Sequence, residues 1–313
     1  MRKNIINSKL TRREIVKSGL VLGTGVIVGP SLFGRAIAGT PGHLKFGLSS
    51  YPPSMNQWAN AGTAAATVKY QLYRGLVSYD GNGRLASELA DSWSVEGDVT
   101  YVFKLRKNAY FHDGSPVTSK DVKASFDAIR EEGSAAYLNG AFKIINRIET
   151  PDTKTVRIIL NNKSASFIYV LASNWALVVS AKSIANDPEN PVGSGPYKIV
   201  KIERGARIEM EAFRNYYKPG LPKSKKLTFI AYKDENLRVA AIEAGDVDII
   251  EYVPWQHMES VSNNNKLNLQ TTDGPFMYLM FNNNHPALSK AKVRDAIGYA
   301  IKREDVMAAA FFG

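Results

Sequence analysis

The chain has 313 residues, 44% hydrophobic and 22% charged, with a formal net charge of +11. This is ordinary globular composition and suggests about two domains. It contains no cysteine, which excludes disulfides, thiolate metal sites, a cysteine nucleophile and a lipid-bearing cysteine. Residues 1–38 hold seven of the 40 basic residues and one of the 29 acidic ones, leaving an interspersed net charge of +5. With no basic stripe, nucleic acid is not an expected partner.

The N-terminus has the three-part layout of an export signal. Residues 1–17 are basic, "SGLVLGTGVIVGPSLFG" (18–34) carries no charge, and Ala36 and Ala38 form a small-residue cleavage site. "TRREIVK" resembles the twin-arginine export signature, with Arg12 and Arg13 followed by Ile15, Val16 and Lys17. The rival reading is an uncleaved anchor. Seventeen uncharged residues with five glycines and a proline are short and poor for crossing ~30 Å of hydrocarbon. Cleavage after Ala38 and a soluble, periplasmic product are therefore expected.

Beyond Gly39 the pattern alternates between strands and helices. "HLKFGLSS" (43–50) reads as a strand stopped by Pro52 and Pro53. "GTAAATVKYQLYRGL" (62–76) reads as a helix closed near Gly75, and "SYDGNG" as a turn. Tyr101, Phe103 and Leu105 form the apolar face of a strand. His112-Asp113-Gly114 then makes a turn, and Thr118 to Asp121 has capping-box spacing ahead of Val122, Phe126 and Ile129. A hairpin is expected over 146–161, a short helix at "SASFIYVLAS", and a buried strand at 175–182. Two strands should meet at Arg204-Gly205, with another strand at 226–232. A helix should end at Gly245 before a short strand, and Pro254 should open the next helix. "FMYLMFN" (276–282) reads as a strand, and the chain from Ser289 onward as helical. The expected class is α/β, in the sense of a mixed α+β architecture.

The order of these segments resembles the extracytoplasmic solute-binding proteins of the dipeptide/oligopeptide/nickel class (family 5) of ABC importers. The blocks that carry the resemblance are "YRGLVSYDGNGRLASELADSW", "YVFKLRKNAYFHDGSPVTSKDVKASF", "PVGSGPYKIVKIERGARIEMEAFRNYYKPG", "AIEAGDVDII" and "FNNNHPALSKAKVRDAIGYAIKREDV". Tyr217 stands where the family often has Trp. The resemblance implies a periplasmic-binding-protein-like fold of two lobes closing on a ligand. Residues 39–75 and 193–282 would build the first lobe, 76–192 an extra subdomain of it, and 283–313 the start of the second lobe. Members continue well beyond the point matching Gly313, so the second lobe is expected to be missing, through a fragment or a truncated product. Helices after Lys290 would then expose apolar faces.

The implied function is capture of a solute, a peptide by default, and its delivery to ABC permease and ATPase subunits after export by the twin-arginine machinery. Such a protein does no chemistry and needs no cofactor. Ser50, Tyr51, Met55 and Asn56 after the first strand, Trp255 and Gln256 at a helix start, and Phe276, Met277 and Tyr278 in the hinge strand are the candidate ligand contacts. Ordinary packing is the competing reading for each, above all for Phe276 and Met277. An enzyme would need a nucleophile, a base and an orienting group. The histidines, at 43, 112, 257 and 285, are isolated, and no G-x-S-x-G, H-E-x-x-H or zinc spacing occurs. A sensing or chaperone-like binding protein on the same scaffold is the alternative function.

Overall fold

The computed structural model describes residues 42–59, 62–184, 192–271 and 278–311. The export-signal residues, including Arg12, Arg13, Ala36 and Ala38, lie outside the described residues, as do Phe276 and Met277. In chain order the elements begin with strand β1 (His43–Leu48), helix α1 (Gly62–Leu72) and strands β2 (Arg74–Gly75), β3 (Val77–Tyr79), β4 (Leu85–Ser87), β5 (Ala90–Glu96) and β6 (Thr100–Leu105). Helices α2 (Ser119–Arg130) and α3 (Asn139–Phe142) follow, then β7 (Ile145–Asp152), β8 (Thr155–Leu160), α4 (Phe167–Leu171) and β9 (Leu177–Val178). Next come β10 (Tyr197–Glu203), β11 (Arg207–Ala212), β12 (Lys226–Ala231), α5 (Glu235–Ala244) and β13 (Ile249–Ile250). A 3-10 turn (Trp255–His257), α6 (Met258–Asn263), α7 (Ala291–Ala300) and α8 (Arg303–Phe311) end the series.

Two sheets dominate. One has the order β10-β11-β12-β1-β13, the other β5-β6-β8-β7. In the first, β1 runs parallel to both β12 and β13, while β10, β11 and β12 are joined antiparallel. The second is antiparallel throughout. Strand β6 pairs with β5 on one side and β8 on the other, and Val102 is buried as well as Tyr101, Phe103 and Leu105. A strand covered on both faces loses the simple inside–outside alternation.

Local chemistry explains the element ends. Asp234 caps α5 by accepting the Leu237 N–H at 2.9 Å, and Gly245 closes it in the left-handed region at φ +78°, a conformation that side chains with a Cβ adopt at a cost. At α2 the Thr118 N–H and hydroxyl both donate to Asp121 Oδ2, at 2.9 and 2.6 Å. The other carboxylate oxygen accepts the Ala181 N–H at 2.9 Å, so Asp121 ties the helix start to the segment before Ser183. Val122, Phe126 and Ile129 are fully buried, as the helical spacing requires.

Four expectations change. Helix α1 ends at Leu72, and Gly75 pairs with Leu177 in a two-stranded ladder instead of closing the helix. The expected strand over 175–182 contracts to Leu177–Val178, which among the described residues pairs with the two-residue β2. Residues 278–282 form no strand, and Tyr278, Leu279 and Met280 are 68%, 63% and 82% exposed. An apolar run sets the pattern of a strand but does not by itself build the hydrogen-bonded ladder that makes one. The terminal helical run is broken between Ala300 and Arg303, and α7 buries no residue among the described ones.

The core is one continuous cluster that runs from Leu48 and Trp58 through Phe103, Phe126 and Phe142 to Phe229. The joint between the sheets is made by the segment around Ser194. The Gly195 N–H donates to Leu72 O at 2.8 Å and the His112 N–H donates to Gly193 O at 2.8 Å. A Cβ built on Gly193 would lie 2.0 Å from Leu72 O, and one on Gly195 2.2 Å from Gln71 O. Glycine is required here because the end of α1 leaves no room for a side chain. Among the described residues no helix is long and apolar enough to cross a membrane.

Candidate functional site

In sheets with parallel strands, the loops leaving the C-terminal ends of those strands face a crevice where ligands bind. Here the neighbours β12, β1 and β13 release three such loops, at 232–234, 49–56 and 251–254. Polar side chains tie the loops together. Glu251 Oε1 accepts the Ser49 N–H at 2.9 Å and the Ser49 hydroxyl at 2.7 Å, while Oε2 accepts the Thr67 hydroxyl of α1 at 3.2 Å. The carboxylate thus fixes the loop after β13 against both the loop after β1 and α1.

Arg238 of α5 ties the remaining pair. It is 1% exposed, and Nη1 donates to Tyr232 O and Nη2 to Tyr252 O, each at 3.0 Å. One planar guanidinium therefore holds two loop carbonyls at a fixed spacing, which a lysine could not reproduce. Tyr252 sits in the left-handed region at φ +58° with its side chain 60% exposed. For a bulky residue this costs on the order of 1–2 kcal/mol, and such strain persists where the surroundings enforce it. The Arg238 bond to its carbonyl is one such constraint.

The candidate contacts fall into this frame unevenly. Ser50 is exposed and Tyr51 half-buried. Burial pushes the Tyr51 phenol above its ordinary value, and the positive charge of Arg204 opposes that rise. Met55 is 7% exposed and belongs to the core cluster. The Asn56 carboxamide oxygen accepts the Trp58 and Ala59 N–H groups, both at 3.0 Å, and so shapes its own turn. Trp255 is 45% exposed, and the Gln256 amide donates to Glu235 of α5 at 3.4 Å. Tyr278 is 68% exposed. The Ser49–Glu251 bonds bring the loop of Ser50 and Tyr51 to the loop that leads into Trp255 and Gln256.

Glu251, Arg238 and Tyr252 were not legible as site residues. A lone Arg within a helix reads as a solvated charge, and its burial depends on the carbonyls of Tyr232 and Tyr252, which the fold brings to it. The strain at Tyr252 has no sequence signature.

The histidines have structural partners. His43 Nε2 and Thr228 Oγ1 are 2.8 Å apart, His257 Nε2 donates to Asn236 Oδ1 at 2.8 Å, and His285 Nδ1 accepts the Ala287 N–H at 3.3 Å. His112 Nε2–H donates to Gly195 O at 3.0 Å, and its ring meets Phe213 edge-on at 5.1 Å. Burial pushes its pKa down to about 4 against the raising effect of the Gly195 bond, so the ring is neutral at pH 7. Among the described residues no group of His, Cys, Asp and Glu could hold a metal ion.

The model of the bacterial extracellular solute-binding proteins, family 5, matches residues 84–313. The chain belongs to this family. It is 30% identical over 253 residues to the glutathione-binding protein GsiB of Pectobacterium atrosepticum, covering 79% of this chain and 49% of the relative. The GsiB of Escherichia coli K12 is 28% identical over 257 residues, covering 80% and 50%. Among solved structures, the binding protein AgaA from A. tumefaciens R10 in complex with agropinic acid is 40% identical with a TM-score of 0.83. That match covers 87% of this chain and 56% of AgaA. DppA from Helicobacter pylori, in complex with the peptide STSA, shares the fold with a TM-score of 0.79 at 23% identity, over 87% of this chain and 58% of DppA. The chain spans about half the length of the curated relatives it matches.

Proposed function

We propose that this chain contributes the solute-capturing lobe of an ABC import system and that it acts outside the cytoplasmic membrane after twin-arginine export and cleavage behind Ala38. The observation that carries the reading is the family match over residues 84–313. The convergence of three loops at the ends of β12, β1 and β13 supports it. The sheet containing β1 and β10 to β13 is the proposed first lobe, and the sheet of β5 to β8 the proposed extra subdomain. Residues from 283 would begin the second lobe. Permease and ATPase subunits are the proposed partners.

Ser50, Tyr51, Trp255, Gln256 and Tyr278 are the proposed solute contacts, with Phe276 and Met277 beside them in sequence. Tyr252, displayed by Arg238, joins the set. Capture would work by enclosure, with apolar and aromatic walls around a few fixed polar groups. Peptides are the proposed ligand class, and agropinic acid is the first rival because of the 40% identity to AgaA.

The test is thermal unfolding of the full chain with glutathione, a di- and tripeptide panel and agropinic acid at millimolar concentration. A ligand present at a hundred times its Kd stabilises by about 2.7 kcal/mol, a shift of several degrees. One ligand class should produce it, and Tyr51→Ala and Trp255→Ala should each remove most of it. A flat response to every ligand, or full binding by both variants, would overturn the proposal.

A further inference from the structure

One cavity shares no lining residue with the three loops. It has a volume of about 250 Å³ and is lined by Tyr70, Arg74, Ser78, Tyr79, Glu88 and Ser173, among others. Pockets for drug-sized ligands run from ~300 to 1,000 Å³, so this one suits a smaller molecule. The side chain of Glu88 is 8% exposed and that of Arg74 16%.

Arg74 and Glu88 line the cavity, and Lys218 reaches Glu88 from outside its lining. Glu88 Oε1 accepts Lys218 Nζ at 2.5 Å and the Ser78 hydroxyl at 3.0 Å, and Oε2 accepts the Tyr217 hydroxyl. Burial alone would raise the Glu88 carboxyl, but Arg74, Lys218 and Tyr217 outweigh it and hold the group below its ordinary value. Arg74 and Lys218 both face this one carboxylate, so the three groups together carry a net charge of +1.

The Arg74 guanidinium is also only partly used. Nε donates to the Tyr216 hydroxyl at 3.1 Å and lies 3.5 Å from Glu88 Oε2, and Nη1 donates to Tyr70 O and, at 2.8 Å, to Tyr73 O. Nη2 has no acceptor among the described residues, yet its side chain lines the cavity. Two N–H donors on a held guanidinium, in a cluster of net charge +1, are suited to an oxyanion. Two rings stand at the mouth, Tyr70 at 40% exposure and Tyr79 at 45%. The neighbouring Glu88 disfavours a dianion, and the rings favour an apolar body.

We propose that this cavity binds a small monocarboxylate, with the carboxylate on Arg74 Nη2 and the apolar body against Tyr70 and Tyr79. The site is independent of solute capture at the three loops.

Benzoate is the probe, with neutral benzamide and inorganic phosphate as comparators, titrated calorimetrically into the full chain. Benzoate should bind at least tenfold more tightly than benzamide or phosphate. Arg74→Gln should remove that preference, and Tyr79→Ala should weaken benzoate several-fold with an unchanged circular dichroism spectrum. If Arg74→Gln fails to fold because Glu88 loses its neighbour, the benzoate-to-benzamide ratio and Tyr79→Ala decide. Equal binding of benzoate and benzamide, tighter binding of phosphate, or benzoate affinity unaffected by Tyr79→Ala would overturn the assignment.

Discussion

Acid should weaken this protein through one histidine. His112 Nε2–H donates to Gly195 O at 3.0 Å, and Nδ1 is buried without an acceptor or donor partner among the described residues. A second proton on the ring would have to sit on Nδ1, uncompensated. Burial is the largest cause of the depressed pKa, Lys198 and Arg74 add to it, and the Gly195 bond and Asp113 oppose it. The folded value is about 4 against 6.5 in the unfolded chain. The unfolded state therefore binds the proton first as pH falls. Stability is fully present above 6.5, drains between 6.5 and about 4, and levels off below. At about 1.4 kcal/mol per pH unit the loss approaches about 3 kcal/mol. Because the ring is half-buried, about 2 kcal/mol is the expected figure after discounting for solvent screening. The assay is urea unfolding at pH 7.5, 5.5 and 4.5 for the wild type and His112→Gln. Glutamine can still donate to Gly195 O but does not titrate. Carboxylates such as Glu88, whose folded pKa is lowered, also lose stability in acid, but they do so in both proteins and cancel in the difference. The wild type should lose about 2 kcal/mol more than the variant between pH 7.5 and 4.5. Parallel pH profiles would refute the argument, and a solute affinity changed more than tenfold in the variant would return His112 to the binding site.

Gly193→Ala should destabilise by about 3 kcal/mol or more, since its Cβ would enter the space of Leu72 O at 2.0 Å; denaturant titration checks this, and a loss under 1 kcal/mol would show that the end of α1 yields. Arg238→Met should cost about 2–4 kcal/mol by stripping the Tyr232 and Tyr252 carbonyls of their donor, and Arg238→Lys should recover less than half, read from the same titration. Tyr252→Gly should raise stability by about 0.5–1 kcal/mol through relief of the φ of +58° while weakening solute binding several-fold. A variant that is both more stable and equally tight would remove Tyr252 from the proposed contacts.

The sequence was most legible where one physical rule decides the outcome. Period-two alternation locates β6, the Asp-Gly and Arg-Gly pairs locate turns, and Asp234 and Gly245 bracket α5. These signals are local, so a window of ten residues contains them. Failures occurred where the deciding partner is remote. Residues 176–180 are uniformly buried, yet only two of them pair as a strand, since the ladder available is as short as β2. The stretch 278–282 is apolar enough for a strand, but apolar side chains do not supply hydrogen-bond partners for a backbone.

The candidate site divides along the same line. Loop positions such as Ser50 and Trp255 could be singled out because prolines punctuate them and the segment order placed them after strands. Glu251 reaches Ser49 across 202 residues and Arg238 reaches the Tyr252 carbonyl across 14, while the Tyr232 carbonyl, 6 residues away, is paired with Arg238 by no feature of the residue types. Their residue types are common on any helix or loop surface, so only the folded geometry distinguishes them. Arg74 illustrates the converse. It stands inside "YRGLVSYDGNGRLASELADSW", one of the family blocks, together with Glu88, yet its surroundings are completed by Tyr216 and Lys218 from a block more than a hundred residues later. A block match therefore locates the scaffold, whereas charge balance inside a cavity must be worked out from the side chains that meet there. That is why the net positive charge of the Arg74, Glu88 and Lys218 cluster is a structural finding, and why a titration with a charged probe and its neutral isostere tests it directly.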